Sequence, residues 1–167
     1  MHTRTHHLIT QAAALYPFDT GTLRLIRSSM QSPNDIYSFV KDGKEYILRI
    51  ASHANDFSSE TLCEMEWLAF LHSRGVPVSM PLPMRDGRLV ALLVSGEVYH
   101  AVCAFEKAQG SHIDKNDPNS WNPETISDWG YTMGRMHHET KDFFPSLSHG
   151  VFGESRMTSK AWAFFLL

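Results

Sequence analysis

The sequence has few cysteines, no excess of basic charge and no long apolar run, and each shortage excludes a class of protein. Cys63 and Cys103 are the two cysteines among 167 residues, too few for a disulfide framework, so we expect both to be buried, reduced thiols. Fifteen Lys and Arg against 18 Asp and Glu give a formal charge of −3, whereas a nucleic-acid-binding protein usually carries a basic surface. No run approaches the ~18 apolar residues of a membrane span, and the first ten residues lack a signal-peptide core. We therefore expect a cytoplasmic protein that binds neither nucleic acid nor membrane.

The order of elements that the sequence predicts is three strands, a helix and two further strands, with additional helices at either end. Asp42-Gly43 separates two β-rich runs and is typical of a type I′ hairpin turn, because glycine accepts the positive φ that this turn requires. Hydrophobic residues make up 43% of the chain and charged residues 20%, as in ordinary globular domains. Strands are predicted at residues 22–29, 36–41, 44–50, 88–94 and 97–105, and helices at 7–16, 58–75 and 122–141.

In two of these helices, particular residues predict where the helix begins or ends. The helix predicted over residues 58–75 has apolar residues at a spacing that predicts an amphipathic helix. Ser58 or Ser59 is the expected N-cap, and Gly75 is expected to end the helix. Asn122 followed by Pro123 predicts the start of the last helix, with asparagine as the cap and proline in the first turn.

Four stretches of the chain, in order, resemble the aminoglycoside phosphotransferase and choline-kinase-like family of small-molecule kinases: NDIYSFVKDGKEYILRIA, ETLCEMEWLAFLHSRGVPVSMPLP, DGRLVALLVSGEVYHAVCAFEKAQG and WGYTMGRMHHET. The last contains the G-x-x-x-G-x-x-H pattern at Gly130, Gly134 and His137, and the resemblance implies that His137 is packed and hydrogen-bonded. The implied fold is α+β, with the small lobe of a protein-kinase-like fold, a five-stranded antiparallel sheet plus one helix, at residues 1–105. A hinge or linker would follow at 106–121, and an incomplete helical large lobe at 122–167.

A charged pair is the first candidate for chemistry. Arg49 alternates with Leu48 and Ile50, so one cation projects from an otherwise half-buried strand. Kinase-type sites need such a cation to hold nucleotide phosphates and an acid on the neighbouring helix to fix it. Glu64 has the family's E-x-x-x-L-x-x-L spacing and is the predicted partner. Glu66, about 200° away around the helix, is predicted to be a solvated rim charge, and Glu60 is a weaker candidate.

The resemblance also implies that ATP and Mg²⁺ are the cofactors. The loop that would cover the phosphates contains no G-x-G-x-x-G, but Ser29 and backbone amides there could meet phosphate. Adenine would bond to backbone groups near Ala104 and Phe105, where the fifth strand becomes the hinge between lobes. The metal ligands would lie in the family's C-terminal part. No H-E-x-x-H spacing occurs, so no protein metal site is predicted within this chain.

The family's catalytic loop is missing from the 167 residues. That loop reads His-Gly-Asp and is followed by Asn and a further Asp, which supply the base and the magnesium ligands. His149-Gly150 is followed here by Val151, which can be neither base nor ligand.

Three hypotheses therefore stay open, the last of which is an unrelated α+β domain. The chain is the N-terminal part of an ATP-dependent phosphotransferase acting on a hydroxyl of a small molecule or a protein, and is inactive alone. Alternatively, it is a non-catalytic module of kinase-like fold that binds a nucleotide or a partner protein. Its last six residues, WAFFLL, predict self-association or a partner that covers them. Whether the chain is a fragment or a complete short protein is left open by the sequence.

Overall fold

The computed structural model describes the backbone of residues 2–27, 34–110, 114 and 116–146, and the side chains of these residues from His7 onward. Ser29, His149-Gly150 and the WAFFLL segment lie outside the described residues. Within the described ranges the chain forms five strands and three α-helices. They are α1 (His2–Leu15), β1 (Arg24–Arg27), β2 (Asn34–Lys41), β3 (Lys44–His53), α2 (Ser58–Ser73), β4 (Val90–Ser95), β5 (Val98–Glu106) and α3 (Pro123–Thr140), with a short 3-10 helix at Thr20–Thr22.

The five strands form one antiparallel sheet in the order β1-β2-β3-β5-β4. The predicted sheet is confirmed, and its strands differ from the predicted ranges only at their ends. The turn between β2 and β3 is of the predicted type, because Asp42 and Gly43 both have positive φ, 51° and 77°. Residues 76–83 add no strand of their own, although Pro81 forms an isolated bridge to Phe105.

One face of the sheet is covered by α1, which begins at His2 rather than near residue 7. Ala12 and Tyr16 are fully buried against a core that includes Phe39, Leu48 and Val102. The Tyr16 hydroxyl donates a hydrogen bond to the carbonyl of Leu89 at 3.1 Å. This face is closed by packing, and the candidate site lies on the opposite one.

The opposite face of the sheet carries α2. This helix was predicted to be amphipathic, with one exposed face, but it is at least partly buried on every side. No residue from Ser58 to Leu71 is exposed, because the sheet packs on one side of the helix and α3 on the other. The prediction that Ser58 or Ser59 caps the helix was wrong. The helix starts one residue earlier than that assignment requires, so Phe57 is the N-cap, and the Asp56 carboxylate accepts the Ser58 backbone N–H at 2.8 Å.

The last helix, α3, begins as predicted: the Asn122 side chain accepts the Thr125 N–H at 2.9 Å, and Pro123 is the first helical residue. Most of the helix surface is nevertheless exposed, including Trp129 at 53%. His137 is exposed as well, so the expectation that it is packed was wrong for this structure. The physical reason is that α2 contacts only one side of α3, and no other described element covers the rest.

Candidate functional site

Arg49 and Glu64 form the central feature of the α2 face of the sheet. Arg49 projects from the middle of β3, and Glu64 faces it from the second turn of α2. Arg49 Nη1 donates to Glu64 Oε1 at 2.8 Å, and Nη2 donates to Oε2, so the guanidinium and the carboxylate meet at two points. Both side chains are largely buried, at 16% and 18% exposure. The pair predicted from the helix spacing is therefore present.

The charge on Arg49 is compensated inside the protein. Burial alone lowers the pKa of this guanidinium, but the net shift is upward, because Cys103 and the hydrogen-bonded Glu64 carboxylate oppose it. Burial also raises the pKa of the Cys103 thiol, so this thiol is uncharged at neutral pH and Glu64 is the anion that stabilises the cation. Arg49 consequently stays protonated while mostly removed from water.

The strand register defines the surroundings of Arg49. Its cross-strand partners are Ile36 on β2 and Cys103 on β5, and residues paired in this way point to the same face. Cys63 and Cys103 are free and buried, as predicted. The Arg49 Nε atom is buried and has no hydrogen-bond partner among the described residues. A buried N–H donor without a close oxygen or nitrogen acceptor is uncommon in native structures, and Cys103, the cross-strand partner of Arg49, is the neighbouring side chain that interacts with this guanidinium.

Glu66 does not contact Arg49, but it is not a simple solvated charge either. Its carboxylate accepts the Ser146 backbone N–H at 2.9 Å and also the Ser146 hydroxyl. Glu66 therefore anchors the turn after α3 to α2, on the side of the helix away from the sheet. Glu60 lies in the first turn of α2 and is partly buried; Glu64 is the acid that meets the cation.

The end of β5, where the hinge is predicted to begin, contributes a side chain to the Arg49 face of the sheet. Phe105 pairs with Ile47 on β3, so both side chains lie on the Arg49 face, and both are only partly buried. The backbone of Ala104 is already used: its carbonyl accepts the Leu82 N–H at 2.8 Å, while Glu106 N–H donates to Met80 at 2.9 Å. Sequence reasoning missed this extra pairing, because it joins segments more than 20 residues apart.

Ser29 cannot be placed against these residues, since it lies outside the described ranges. Cys103 and Ile36 were not predicted as neighbours of Arg49, although the alternation along their strands offered a signal. Among the described residues, no three His, Cys, Asp or Glu side chains come together as a metal site. No helix in the described part of the chain is long and apolar enough to cross a membrane.

A five-stranded antiparallel sheet with a helix-borne acid that holds a strand-borne cation is typical of the small lobe of kinase-like phosphotransferases. The comparison with known families agrees: residues 28–154 match the model described as "Phosphotransferase enzyme family". The chain belongs to that family.

Individual relatives support this assignment. The chain is 32% identical over 146 residues to amicoumacin kinase from Bacillus subtilis (strain 168), which is 87% of this chain and 41% of that protein. It is similar to the solved structure of an amicoumacin kinase in complex with AMP-PNP, Ca²⁺ and Ami, with a TM-score of 0.74, 26% identity and coverage of 87% of this chain and 44% of that one. A microcompartment-associated aminopropanol kinase shares the fold, with a TM-score of 0.62, 24% identity and coverage of 89% and 45%. The chain thus spans less than half the length of these relatives.

Proposed function

We propose that the chain is the nucleotide-binding lobe of an ATP-dependent phosphotransferase that acts on a hydroxyl group of a small molecule. The observation that carries this proposal is the Arg49–Glu64 pair. Glu64 accepts one hydrogen bond from each terminal nitrogen of the guanidinium, and a guanidinium has five N–H donors, so the cation keeps donors for a second anion. The oxygens of an anion such as a nucleotide phosphate are suitable acceptors for these donors.

Glu64 would orient the cation rather than touch the nucleotide. A guanidinium held at two points cannot rotate freely, so its remaining N–H groups point in fixed directions before the phosphate arrives. This preorganisation lowers the entropic cost of binding, and the low exposure of the pair strengthens the attraction to an incoming anion. Ser29, which lies between β1 and β2 in the sequence, is proposed to add a hydroxyl contact to the phosphates.

The adenine ring is proposed to lie against Phe105 at the end of β5, with Ala104 behind it. The Ala104 carbonyl already accepts from Leu82, and the N–H groups of Glu106 and Lys107 already donate to Met80 and Glu45, so adenine is proposed to meet other backbone groups near Phe105. Ile36 and Ile47 share this face and are partly buried, which gives the ring an apolar surface beside the cation.

Magnesium would accompany the nucleotide and balance the charge of its phosphates. The ligands for that ion are proposed to lie outside the described residues, in the C-terminal part that follows this lobe in family members. The support for a divalent ion is the related amicoumacin kinase structure, which contains Ca²⁺ with AMP-PNP. The small-molecule acceptor is proposed because amicoumacin kinase and aminopropanol kinase are both among the relatives.

A second candidate, a binding module that transfers no phosphate, is favoured by the exposed surface of α3. Ile126, Trp129 and Tyr131 are 42%, 53% and 69% exposed, and His-Gly-Asp does not occur in these 167 residues. In this candidate the surface would associate with a partner protein. Both candidates share the nucleotide site.

Calorimetric titration of the 167-residue chain with Mg²⁺ and AMP-PNP tests the shared proposal. Arg49→Ala should weaken binding by about 10- to 100-fold, because charge-assisted hydrogen bonds to phosphate contribute about 1.5–3 kcal/mol. Arg88→Ala is the matched control, since Arg88 is exposed and pairs with Asp86 away from the pair. Equal affinities of the wild type and R49A, or no binding by the folded wild type, would refute the proposed site.

A further inference from the structure

We propose that Thr140 on α3 is a positioning residue that holds the Arg49–Glu64 pair in place through Trp67 on α2. The inference deepens the proposed function and rests on it for the role of the pair, but it makes a separate claim about these side chains. Thr140 touches neither Arg49 nor the proposed nucleotide. It would act by fixing the helix that carries Glu64.

The contact itself is buried and polar. Trp67 Nε1–H donates to Thr140 Oγ1 at 2.8 Å, and the two residues are 73 positions apart in the sequence. They are only 2% and 8% exposed. The Thr140 hydroxyl donates in turn to the Met136 carbonyl at 2.7 Å, which directs an oxygen lone pair toward the indole. Removing the hydroxyl would leave a buried N–H of Trp67 without this acceptor, a costly arrangement in a protein interior.

The position of Trp67 on the helix links this contact to the site. Glu64 and Trp67 are three residues apart and therefore neighbours on the surface of α2. Arg135 on α3 also donates two hydrogen bonds in this direction, but its acceptors are the carbonyls of residues 74 and 75, beyond the end of α2. The Trp67–Thr140 bond lies one turn from Glu64, so it constrains the helix where the acid emerges.

The geometry of the ion pair makes it sensitive to that constraint. Both Glu64 oxygens meet separate guanidinium nitrogens, and such a two-point contact is lost when the helix rotates or shifts slightly. On its sheet side α2 is held by the Arg49 pair itself and by apolar packing, and the packing is not directional. The Trp67–Thr140 hydrogen bond adds a directional restraint from α3, beside the contact that Ser146 makes with Glu66.

Arginine-labelled NMR of the 167-residue chain tests the positioning role without nucleotide. The paired Nη–H groups of Arg49 should show restricted rotation in the wild type, and this restriction should weaken in Thr140→Val and in Trp67→Phe. Thr140→Ser keeps the hydroxyl and should restore it. Thr61→Val is the matched control, because Thr61 is also buried and its hydroxyl also donates to a carbonyl four residues earlier, that of Phe57, but it does not bond α3.

Titration with Mg²⁺ and AMP-PNP supplies the second measurement. Thr140→Val should weaken binding by roughly 3- to 10-fold, which lies within the range of coupling between neighbouring residues, and should have no further effect when Glu64 is already replaced by Gln. A general loss of stability would persist in that background and would also appear in T61V.

The outcomes separate the two proposals. Unchanged Arg49 signals in both T140V and W67F, or equal changes in T61V, would overturn the positioning role. Altered Arg49 signals in a folded wild type that binds no AMP-PNP would support the positioning role and refute the nucleotide site. If T140V does not fold, W67F and T140S still give the comparison, because they change the bond from its other side or preserve it.

Discussion

Arg49 on β3 and Glu64 on α2 meet through two hydrogen bonds and tie the inserted helix to the centre of the sheet. The pair is mostly buried, with 16% and 18% of the side chains exposed, so neither charge is well solvated alone. A buried ion pair of this kind gives little net stability, but breaking it leaves an uncompensated charge. The pair therefore serves mainly to hold the Arg49 cation in a fixed orientation.

The contrast between Glu64 and Glu66 gives a stability prediction. Glu64→Ala should lower the free energy of unfolding by about 3 kcal/mol, since it strands the buried Arg49 cation. Glu66→Ala should cost less than about 1 kcal/mol, because its partner Ser146 is exposed. Urea denaturation of both variants measures the difference. Similar losses in the two variants would contradict the assignment of Glu64, and not Glu66, as the acid that holds the cation.

A second prediction concerns alkaline stability. Burial raises the pKa of Tyr16 above its ordinary value of 10.0. The folded state therefore keeps the phenol protonated where the unfolded chain ionises, and the stabilising effect is present below pH 10 and is lost as the pH rises beyond it. Tyr16→Phe should be less stable than the wild type by about 1 kcal/mol at pH 8, because the hydrogen bond to Leu89 is removed.

This deficit should shrink by about 1.4 kcal/mol for each pH unit above 10, and should disappear near pH 11. Thermal or urea unfolding of Y16F and the wild type between pH 8 and 11 measures it. Thr61→Val provides the comparison, because it removes a buried hydroxyl that does not ionise, so its deficit should stay constant with pH. A deficit of Y16F that stays constant with pH would show that burial does not raise the pKa of Tyr16.

The predicted features that the structure contains depend on local spacing. The Asp42-Gly43 turn, the Asn122 cap and the choice of Glu64 over Glu66 each follow from a few neighbouring residues. The contacts that sequence reasoning missed depend on distant segments. The Leu82 bond to Ala104 requires a segment after α2 to lie along β5, and no local pattern encodes that placement.

The prediction that α2 is amphipathic failed for the same reason. Apolar spacing indicates one buried face, but α3 covers the other side through Trp67 and Thr140. The opposite failure occurred on α3, where His137 was expected to be packed and is exposed. Periodicity predicts which residues are able to be buried, whereas the presence of a covering element decides which are.

A third prediction concerns two glycines, whose replacement by alanine should change the stability in opposite directions. Gly43 has a φ of +77° and no atom within 4 Å of an added Cβ, so Gly43→Ala should destabilise the protein by about 1 kcal/mol through backbone strain alone. Gly130 lies inside α3 and also has open space around an added Cβ, so Gly130→Ala should stabilise by up to about 1 kcal/mol. Thermal unfolding of the two variants checks this. A stabilising G43A would contradict the type I′ turn.

The last prediction concerns phosphate transfer by the 167-residue chain on its own. The general base and the magnesium ligands of phosphoryl transfer must contact the acceptor and the nucleotide directly. His-Gly-Asp is absent, and His149-Gly150 is followed by Val151, which can neither accept a proton nor bind a metal. We therefore expect nucleotide binding without turnover. Incubation with Mg²⁺, γ-labelled ATP and a panel of amino-alcohol acceptors measures it, with Arg49→Ala as the background control. Turnover well above that control would show that a base elsewhere in the chain completes the site, and the binding-module alternative would then be excluded.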